Sequence, residues 1–224
     1  MLLRIALIIA FLMGQYWPDK TGESFMTVSP LMFFTNQSNW WIVIITAVFL
    51  VYDLLSLRRE SPLVPPNWLY TIKFMCTVAI TLTFLVFGLL LTPEMIMKGN
   101  YSYLFTVGNV CVHNLVPILA IIDWCLTGWR YISTKRSFLL GAILPLWYVF
   151  FVFACVLMGI GFGKVGFVPY FFFDFQKNGW FTLGGGRLGV VWWIILLTLG
   201  VLAMSYGFIA IKNAMAKKQQ KALQ

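Results

Sequence analysis

Charged residues are scarce in this sequence: they make up 10% of its 224 residues, whereas 61% of the residues are hydrophobic. A soluble globular domain carries roughly a quarter charged residues. A chain of this composition cannot cover a folded surface with polar groups, so a soluble domain is excluded. The composition instead predicts an all-α, polytopic integral membrane protein.

Residues that bind metals or form disulfides are also few. The four cysteines all lie within apolar stretches, and none has C-x-x-C spacing. Such cysteines are typical of buried, reduced small residues rather than of zinc sites or disulfides. His113 is the only histidine, which excludes two-histidine haem ligation within one chain and leaves too few ligands for a metal. We therefore expect neither a metal nor another cofactor.

Six apolar stretches predict helices that cross the membrane. A hydrocarbon layer of about 30 Å takes about 20 residues to cross. Five stretches reach that length; the first is shorter, but no small-x-small cleavage site of a signal peptide follows it. The stretches are residues 2–17, 31–56, 67–91, 102–128, 137–161 and 188–211. Since neither a repeat nor a low-complexity linker separates them, residues 1–224 form one predicted domain of about six transmembrane helices.

The net charge of +9 is explained by topology. Most basic residues fall on one side of the six-helix arrangement, and the positive-inside rule places both termini on that side, in the cytoplasm. These residues are Arg4, Arg58, Arg59, Lys73, Arg130, Lys135, Arg136, Lys212, Lys217, Lys218 and Lys221. We expect the basic side to contact anionic lipids, with no nucleic-acid partner. In a bacterium the membrane would be the plasma membrane.

Five consecutive polar residues, Thr35 to Asn39, open the second apolar stretch. Ser29 followed by Pro30 is a helix start signal, with Ser as N-cap and Pro at the first position. At 100° per residue, one face of the helix collects polar residues within about 100° of one another. That face carries Thr35, Ser38, Asn39, Thr46 and Asp53. Asn36 and Gln37 point elsewhere, toward another helix or the interface. Hydrogen bonding between helices alone is an alternative explanation of this face.

His113 is predicted near the middle of the membrane, on a helix face that also carries Thr106, Asn109, Pro117 and Asp123. Asn114 lies at one border of this face. Ionisable groups in hydrocarbon are costly and usually face the bundle interior. Pro117 cannot donate a hydrogen bond to the carbonyl of His113, so a bend is expected there.

A histidine in this setting is a candidate general base for a hydroxyl nucleophile. At 1.5 Å per residue, the depths are about 8 Å for Thr35, 12 Å for Ser38 and 16 Å for His113. Depth alone favours Ser38 over Thr35. Asp123 lies some 15 Å beyond His113, so an Asn or a backbone carbonyl is the expected orienting group for the imidazole.

Two motifs resemble those of the androgen-induced, ADTRP-like intramembrane threonine hydrolases. "FFTNQSN" at 33–39 resembles the start of their second helix, and "HNLVPILAIID" at 113–123 resembles their histidine, proline and acid motif. A third stretch, "VPYFFFDF" at 168–175, is similar to one in bacterial members of this group. The resemblance implies a hydrolase of lipid esters, notably fatty acid esters of hydroxy fatty acids, with Thr35 as nucleophile and His113 as base. Asp123 stands where the animal members more often have Glu.

A lipid ester hydrolase is the main hypothesis from these residues. Ser38, Asn39, Asn109 and Asn114 are the candidates for polar support or for donors to the oxyanion. The segment 162–187 is rich in aromatics and glycine and is either a lid or an interfacial belt; Tyr170 and Asp174 are its residues most suited to reach the site. A lipid-binding or transport protein without catalysis, and a scaffold subunit, are the alternatives.

Overall fold

The protein is built almost entirely of helices. Its computed structural model describes residues 1–18, 31–99, 101–163 and 166–222, and 77% of it is helical. The helices are α1 (Leu2–Tyr16), α2 (Phe34–Ser56), α3 (Asn67–Met97), α4 (Tyr101–Leu104), α5 (Val107–Arg130), α6 (Ser137–Leu157), α7 (Phe175–Asn178) and α8 (Val190–Ala222). A small antiparallel hairpin pairs β1 (Leu183–Gly184) with β2 (Arg187–Leu188). The fold is that of an all-α polytopic membrane protein.

Five of these helices, α2, α3, α5, α6 and α8, are long and apolar enough to cross a membrane. The sequence predicted a helix at each of these places. The predicted first span is also a helix, but α1 has 15 residues and is about 22 Å long, which is less than the thickness of a bilayer core.

Some helix ends differ from the predicted ones. The helix α2 begins at Phe34, with Phe33 as its N-cap residue; the predicted start signal at Ser29 and Pro30 lies outside the described residues. The helix α3 contains a π-helical turn, Phe87–Leu91, and continues to Met97, beyond its predicted end at residue 91. The helix α8 continues beyond residue 211, because its Ala, Lys and Gln residues have high helix propensity.

The helix α3 is the centre of the bundle and packs against α2, α5 and α6. Its segment has the largest buried share among the five long helices, whereas α8 has the smallest. One group of buried apolar side chains joins α1, α2, α3 and α5 and includes the fully buried Phe74 and Trp124. A second group, rich in aromatic side chains, includes Phe34, Tyr148, Phe162, Phe172 and Phe173. Apolar side chains cover the outside of the bundle, as is expected of a protein surrounded by lipid.

A buried ionic cluster joins four helices at one end of the bundle. Arg4 of α1 lies 3.2 Å from Asp123 of α5 and 2.7 Å from Asp53 of α2. Lys73 of α3 forms an ion pair with the other oxygen of Asp123. The side chains of Arg4, Lys73 and Asp123 are at most 6% exposed. Arg4 and Lys73 are therefore interior residues, not the lipid-facing charges expected from the sequence.

Removing the carboxylate of Asp123 should destabilise the protein strongly. In Asp123→Ala, Lys73 would stay buried without its carboxylate partner and Arg4 would keep only Asp53, which costs about 3–5 kcal/mol. Glu94→Ala is the control, because its ion pair with Lys98 is exposed and is worth less than about 1 kcal/mol. The free energy of unfolding in detergent micelles measures both. Equal losses in the two variants would contradict a stabilising role of the cluster.

Candidate active site

Thr35 and His113 meet inside the bundle. The hydroxyl oxygen of Thr35 lies 3.2 Å from Nε2 of His113. Thr35 belongs to the first turn of α2, and His113 belongs to α5. Both residues are buried, with 6% and 5% of their surfaces exposed. The pair predicted from the sequence is thus within hydrogen-bonding distance, in surroundings that largely exclude water.

The second nitrogen of the imidazole defines its tautomer. Nδ1 of His113 lies 3.2 Å from the backbone carbonyl oxygen of Asn109, one turn earlier in α5. A carbonyl oxygen only accepts hydrogen bonds, so Nδ1 carries the hydrogen. In the neutral ring Nε2 then has a lone pair that faces the Thr35 hydroxyl. The structure confirms the expectation that an Asn or a backbone carbonyl orients the imidazole.

Two π-helical turns bring aromatic rings to this site. His113 lies in the turn Cys111–Leu115 of α5, and Phe87 begins the turn Phe87–Leu91 of α3. The two rings stack with centroids 3.9 Å apart and an angle of 20° between their planes. A proline, Pro117 or Pro93, follows each turn. Because proline has no N–H to donate, a wider turn before it relieves the steric conflict.

The helix α1 packs directly against the histidine turn. A Cβ atom added to Gly14 would lie 2.8 Å from a methyl group of Val112 and 2.9 Å from Cβ of Cys111. Any larger residue at position 14 would therefore push α1 away from α5. This role of α1 was not predicted from the sequence, because a glycine within an apolar helix gives no local signal of a close contact.

Ser38 and Asn39 form hydrogen bonds to the backbone of the site. The hydrogen bonds that the structure shows for these two side chains go to groups other than the imidazole. The hydroxyl of Ser38 lies 2.7 Å from that of Thr83 and donates to the carbonyl of Thr35 at 3.0 Å. The amide of Asn39 donates to the carbonyls of Thr35 at 2.8 Å and of Val112 at 3.0 Å. Depth counting favoured Ser38, and that expectation is wrong: Thr35 is the hydroxyl beside His113.

The two other asparagines have different positions. The amide nitrogen of Asn109 donates to the carbonyl of Leu104 at 3.1 Å, so its backbone oxygen, rather than its side-chain amide, serves His113. Asn114 is half-buried, and the imidazole nitrogens lie against Thr35 and Asn109 instead. These contacts assign the orienting role to Asn109 and not to Asn114.

The two acids proposed as further site residues lie elsewhere. Asp123 belongs to the ionic cluster with Arg4 and Lys73, since its helix carries it about 15 Å from His113. Asp174 accepts a hydrogen bond from the backbone N–H of Lys177 at 3.1 Å and caps the short helix α7. Both acids thus have structural partners outside the Thr35–His113 pair.

Tyr170 is the residue of segment 162–187 that reaches the site. Tyr170 and Thr35 line the same cavity, and the ring of Tyr170 packs against those of Phe33 and Tyr148. Burial raises the pKa of Tyr170 above its ordinary value, and the neighbouring polar groups of Thr35 only partly offset this. The phenol is therefore protonated at neutral pH and can donate a hydrogen bond beside Thr35.

An apolar cavity of about 670 Å³, including the space at its mouth, begins at Thr35. Its mainly apolar lining with a few polar groups is typical of small-molecule sites in proteins. The cavity runs between α3, α6 and α8 and is covered by Phe172 and Phe173. Its polar lining residues are Thr35, Thr83, Tyr148, Tyr170 and Thr198. Neither this cavity nor the role of Phe87 was predicted from the sequence, because neither has a pattern along one helix.

The tautomer of His113 can be tested directly, because it is the only histidine. In protein labelled with nitrogen-15 histidine, we expect NMR at neutral pH to show hydrogen on Nδ1 and a lone pair on Nε2. Thr35→Val removes the hydroxyl with little change of shape, so the Nε2 signal should shift and the Nδ1 signal should stay. A ring protonated on Nε2 would contradict the proposed geometry.

Comparison with known proteins does not identify a family for this chain. No family model, no curated protein and no solved structure matches it. The resemblance to the androgen-induced, ADTRP-like hydrolases therefore stays a prediction that rests on short motifs.

Proposed function

We propose that the protein is an intramembrane lipid ester hydrolase with Thr35 as nucleophile and His113 as general base. The observation that carries this proposal is the chain of contacts from the Thr35 hydroxyl to Nε2 of His113 and from Nδ1 to the carbonyl of Asn109, at 3.2 Å each. A nucleophile, a base and a group that orients the base form the arrangement that activates hydroxyls in hydrolases.

The reaction needs no group beyond the ester and water. The Thr35 oxygen attacks the ester carbonyl while its proton passes to Nε2 of His113. The tetrahedral intermediate collapses, the C–O bond to the alcohol breaks, and Nε2 returns the proton to the departing alkoxide. Water then attacks the acyl-threonine and gives a proton to Nε2, which returns it to Thr35 as the acid leaves. The carbonyl of Asn109 stabilises the transient imidazolium through the Nδ1–H.

The phenol of Tyr170 is the proposed donor to the oxyanion. The side-chain amide of Asn39 donates both of its hydrogens to backbone carbonyls, so this group is not available without breaking one of those bonds. Tyr170 is beside Thr35 and carries its proton at neutral pH. One well-placed donor contributes about 3 kcal/mol to stabilising the transition state.

The substrate class follows from the surroundings of Thr35. The helices that carry the site are apolar enough to lie in a bilayer, and the cavity beside Thr35 is lined mainly by apolar side chains. Both features suit a lipid ester, with its carbonyl at Thr35 and its acyl chain in the cavity. The motif resemblance points to the same class, including fatty acid esters of hydroxy fatty acids.

The nucleophile is tested with a fluorophosphonate probe, which reacts with activated hydroxyls. We expect wild-type protein to be labelled, and Thr35→Ala and His113→Ala to reduce the labelling rate by about 10³-fold or more, because the two residues act as one unit. Thr71→Ala is the matched control, since the Thr71 hydroxyl donates to the carbonyl of Asn67 within its own helix. If Ser38→Ala removes labelling and Thr35→Ala does not, the nucleophile is Ser38.

The contribution of Tyr170 is tested by Tyr170→Phe, which keeps the ring and removes the hydroxyl. Loss of an oxyanion donor should lower kcat for a lipid ester about 10²-fold and leave KM nearly unchanged, because the donor acts on the transition state. Tyr206→Phe is the control, as Tyr206 is 68% exposed on α8. An unchanged kcat in Tyr170→Phe would remove Tyr170 from the mechanism.

A lipid-binding or transport protein is the second candidate, and the cavity is the observation that favours it. This candidate predicts binding of fatty acids without turnover of any lipid ester and without labelling by the probe. Wild type and His113→Ala, compared on one panel of lipid esters, separate the two functions, since hydrolysis that depends on His113 occurs only in an enzyme.

A further inference from the structure

We infer that the cavity holds a single unbranched acyl chain that enters sideways from the bilayer, and that Ala142 and Val201 set the length of the chain it accepts. The identity of the ester as substrate rests on the proposed function, whereas the binding of the chain does not. Three features of the cavity carry this inference: its two parallel walls, its closed floor and its open side.

The two parallel walls are one face of α6 and one face of α8, and α3 lines the cavity beside them. Both helices contribute residues at i, i+3, i+4 and i+7, which form one stripe over two helical turns. These residues are Ala142, Pro145, Leu146 and Val149 of α6, and Ile194, Leu197, Thr198 and Val201 of α8. Seven residues correspond to about 10 Å. This length holds about eight to ten carbons of an extended chain.

The floor is closed where α6 and α8 come into close contact. A Cβ atom added to Gly141 would collide with the side chain of Ser205, so α6 and α8 approach closely just beyond Ala142 and Val201. Ala142 and Val201 are themselves 6% and 1% exposed. The chain end therefore meets the side chains of Ala142 and Val201 and cannot pass further along the helices.

The side of the cavity opens toward the lipid. The helix α8 packs against the first turns of α6, Ser137–Ala142, and separately against the turn Phe171–Phe173. Between these two contacts α8 makes few contacts with the remainder of α6. Leu146, which lines the cavity, is 45% exposed. The opening thus faces the apolar outside of the bundle, from which a chain can enter between α6 and α8.

The direction of the cavity matches that of a lipid in a bilayer. Its polar end, with Thr35 and Tyr170, lies where α2 begins, under the turn Phe171–Phe173. Its floor lies two helical turns away along α6 and α8. A lipid that enters sideways therefore places its ester at Thr35 and its chain along the helices without changing its orientation in the bilayer.

Chain length is tested by both turnover and binding. Hydrolysis of p-nitrophenyl esters with 4, 8, 12 and 16 carbons gives kcat/KM for each length. In Ala142→Phe the floor is raised, so we expect the ratio of the 12-carbon to the 4-carbon value to fall at least tenfold. Val201→Ala lowers the floor and should shift the preferred length upward by one or two carbons. Ile143→Phe is the control, because Ile143 does not line the cavity and is 46% exposed.

Fatty-acid binding tests the chain site independently of the proposed hydrolase function. The binding of fatty acids of the same lengths is measured in Thr35→Ala protein by their displacement of a dansyl-labelled fatty acid. We expect the added substitution Ala142→Phe to weaken the binding of the long acids at least tenfold relative to that of the short acids. If that shift occurs and the wild-type protein hydrolyses none of the esters, the hydrolase proposal fails and the chain site stands. If neither Ala142→Phe nor Val201→Ala changes the length profile relative to Ile143→Phe, the inference is overturned.

Discussion

The carboxylate of Asp123 holds positive charges from two other helices inside the bundle, and the position of the candidate site depends on this interaction. It pairs with Arg4 of α1 and Lys73 of α3, and an unpaired charge in this apolar interior would cost several kcal/mol. Ten residues beyond Arg4, Gly14 lies against Val112 of α5. The short helix α1 is thus held against α5 at two levels about 15 Å apart, which supports the turn that carries His113.

The separation of charge from the candidate site has a chemical consequence. The carboxylates of Asp53 and Asp123 pair with cations at one end of the bundle, and a backbone carbonyl takes the orienting position beside His113. A carboxylate beside the imidazole would have to be desolvated at that depth, which is costly without a cation. A neutral chain of hydroxyl, imidazole and carbonyl avoids this cost and still moves a proton.

The polar residues at the start of α2 serve both packing and the site. Asn36 accepts a hydrogen bond from Gln15 of α1 at 3.3 Å, and Gln37 donates to the carbonyl of Leu31 at 2.9 Å. Ser38 and Asn39 connect this turn to α3 and α5. Hydrogen bonds between membrane helices contribute roughly 0.6–2 kcal/mol each. They fix the backbone of Thr35, so packing between helices and positioning of the hydroxyl depend on the same residues.

Several features were predictable from sequence alone because they depend on one helix at a time. The length of the apolar stretches located the long helices, and helical periodicity placed Thr35, Ser38 and Asn39 on one buried face, as it did Asn109 and His113 on another. Relations between helices were not predictable in this way. Asp123 is 119 residues from Arg4 and 50 from Lys73, and nothing in either local pattern connects them.

A bundle of apolar helices with a lone histidine on a polar face can be predicted from the sequence, because composition and periodicity are properties of single segments. That Thr35 rather than Ser38 faces His113 is a result of tertiary packing. Counting residues gives depth along one helix, but the level and rotation of two helices relative to each other are set by their packing. The same holds for the cavity, whose walls come from α3, α6 and α8 and exist only once these helices are assembled.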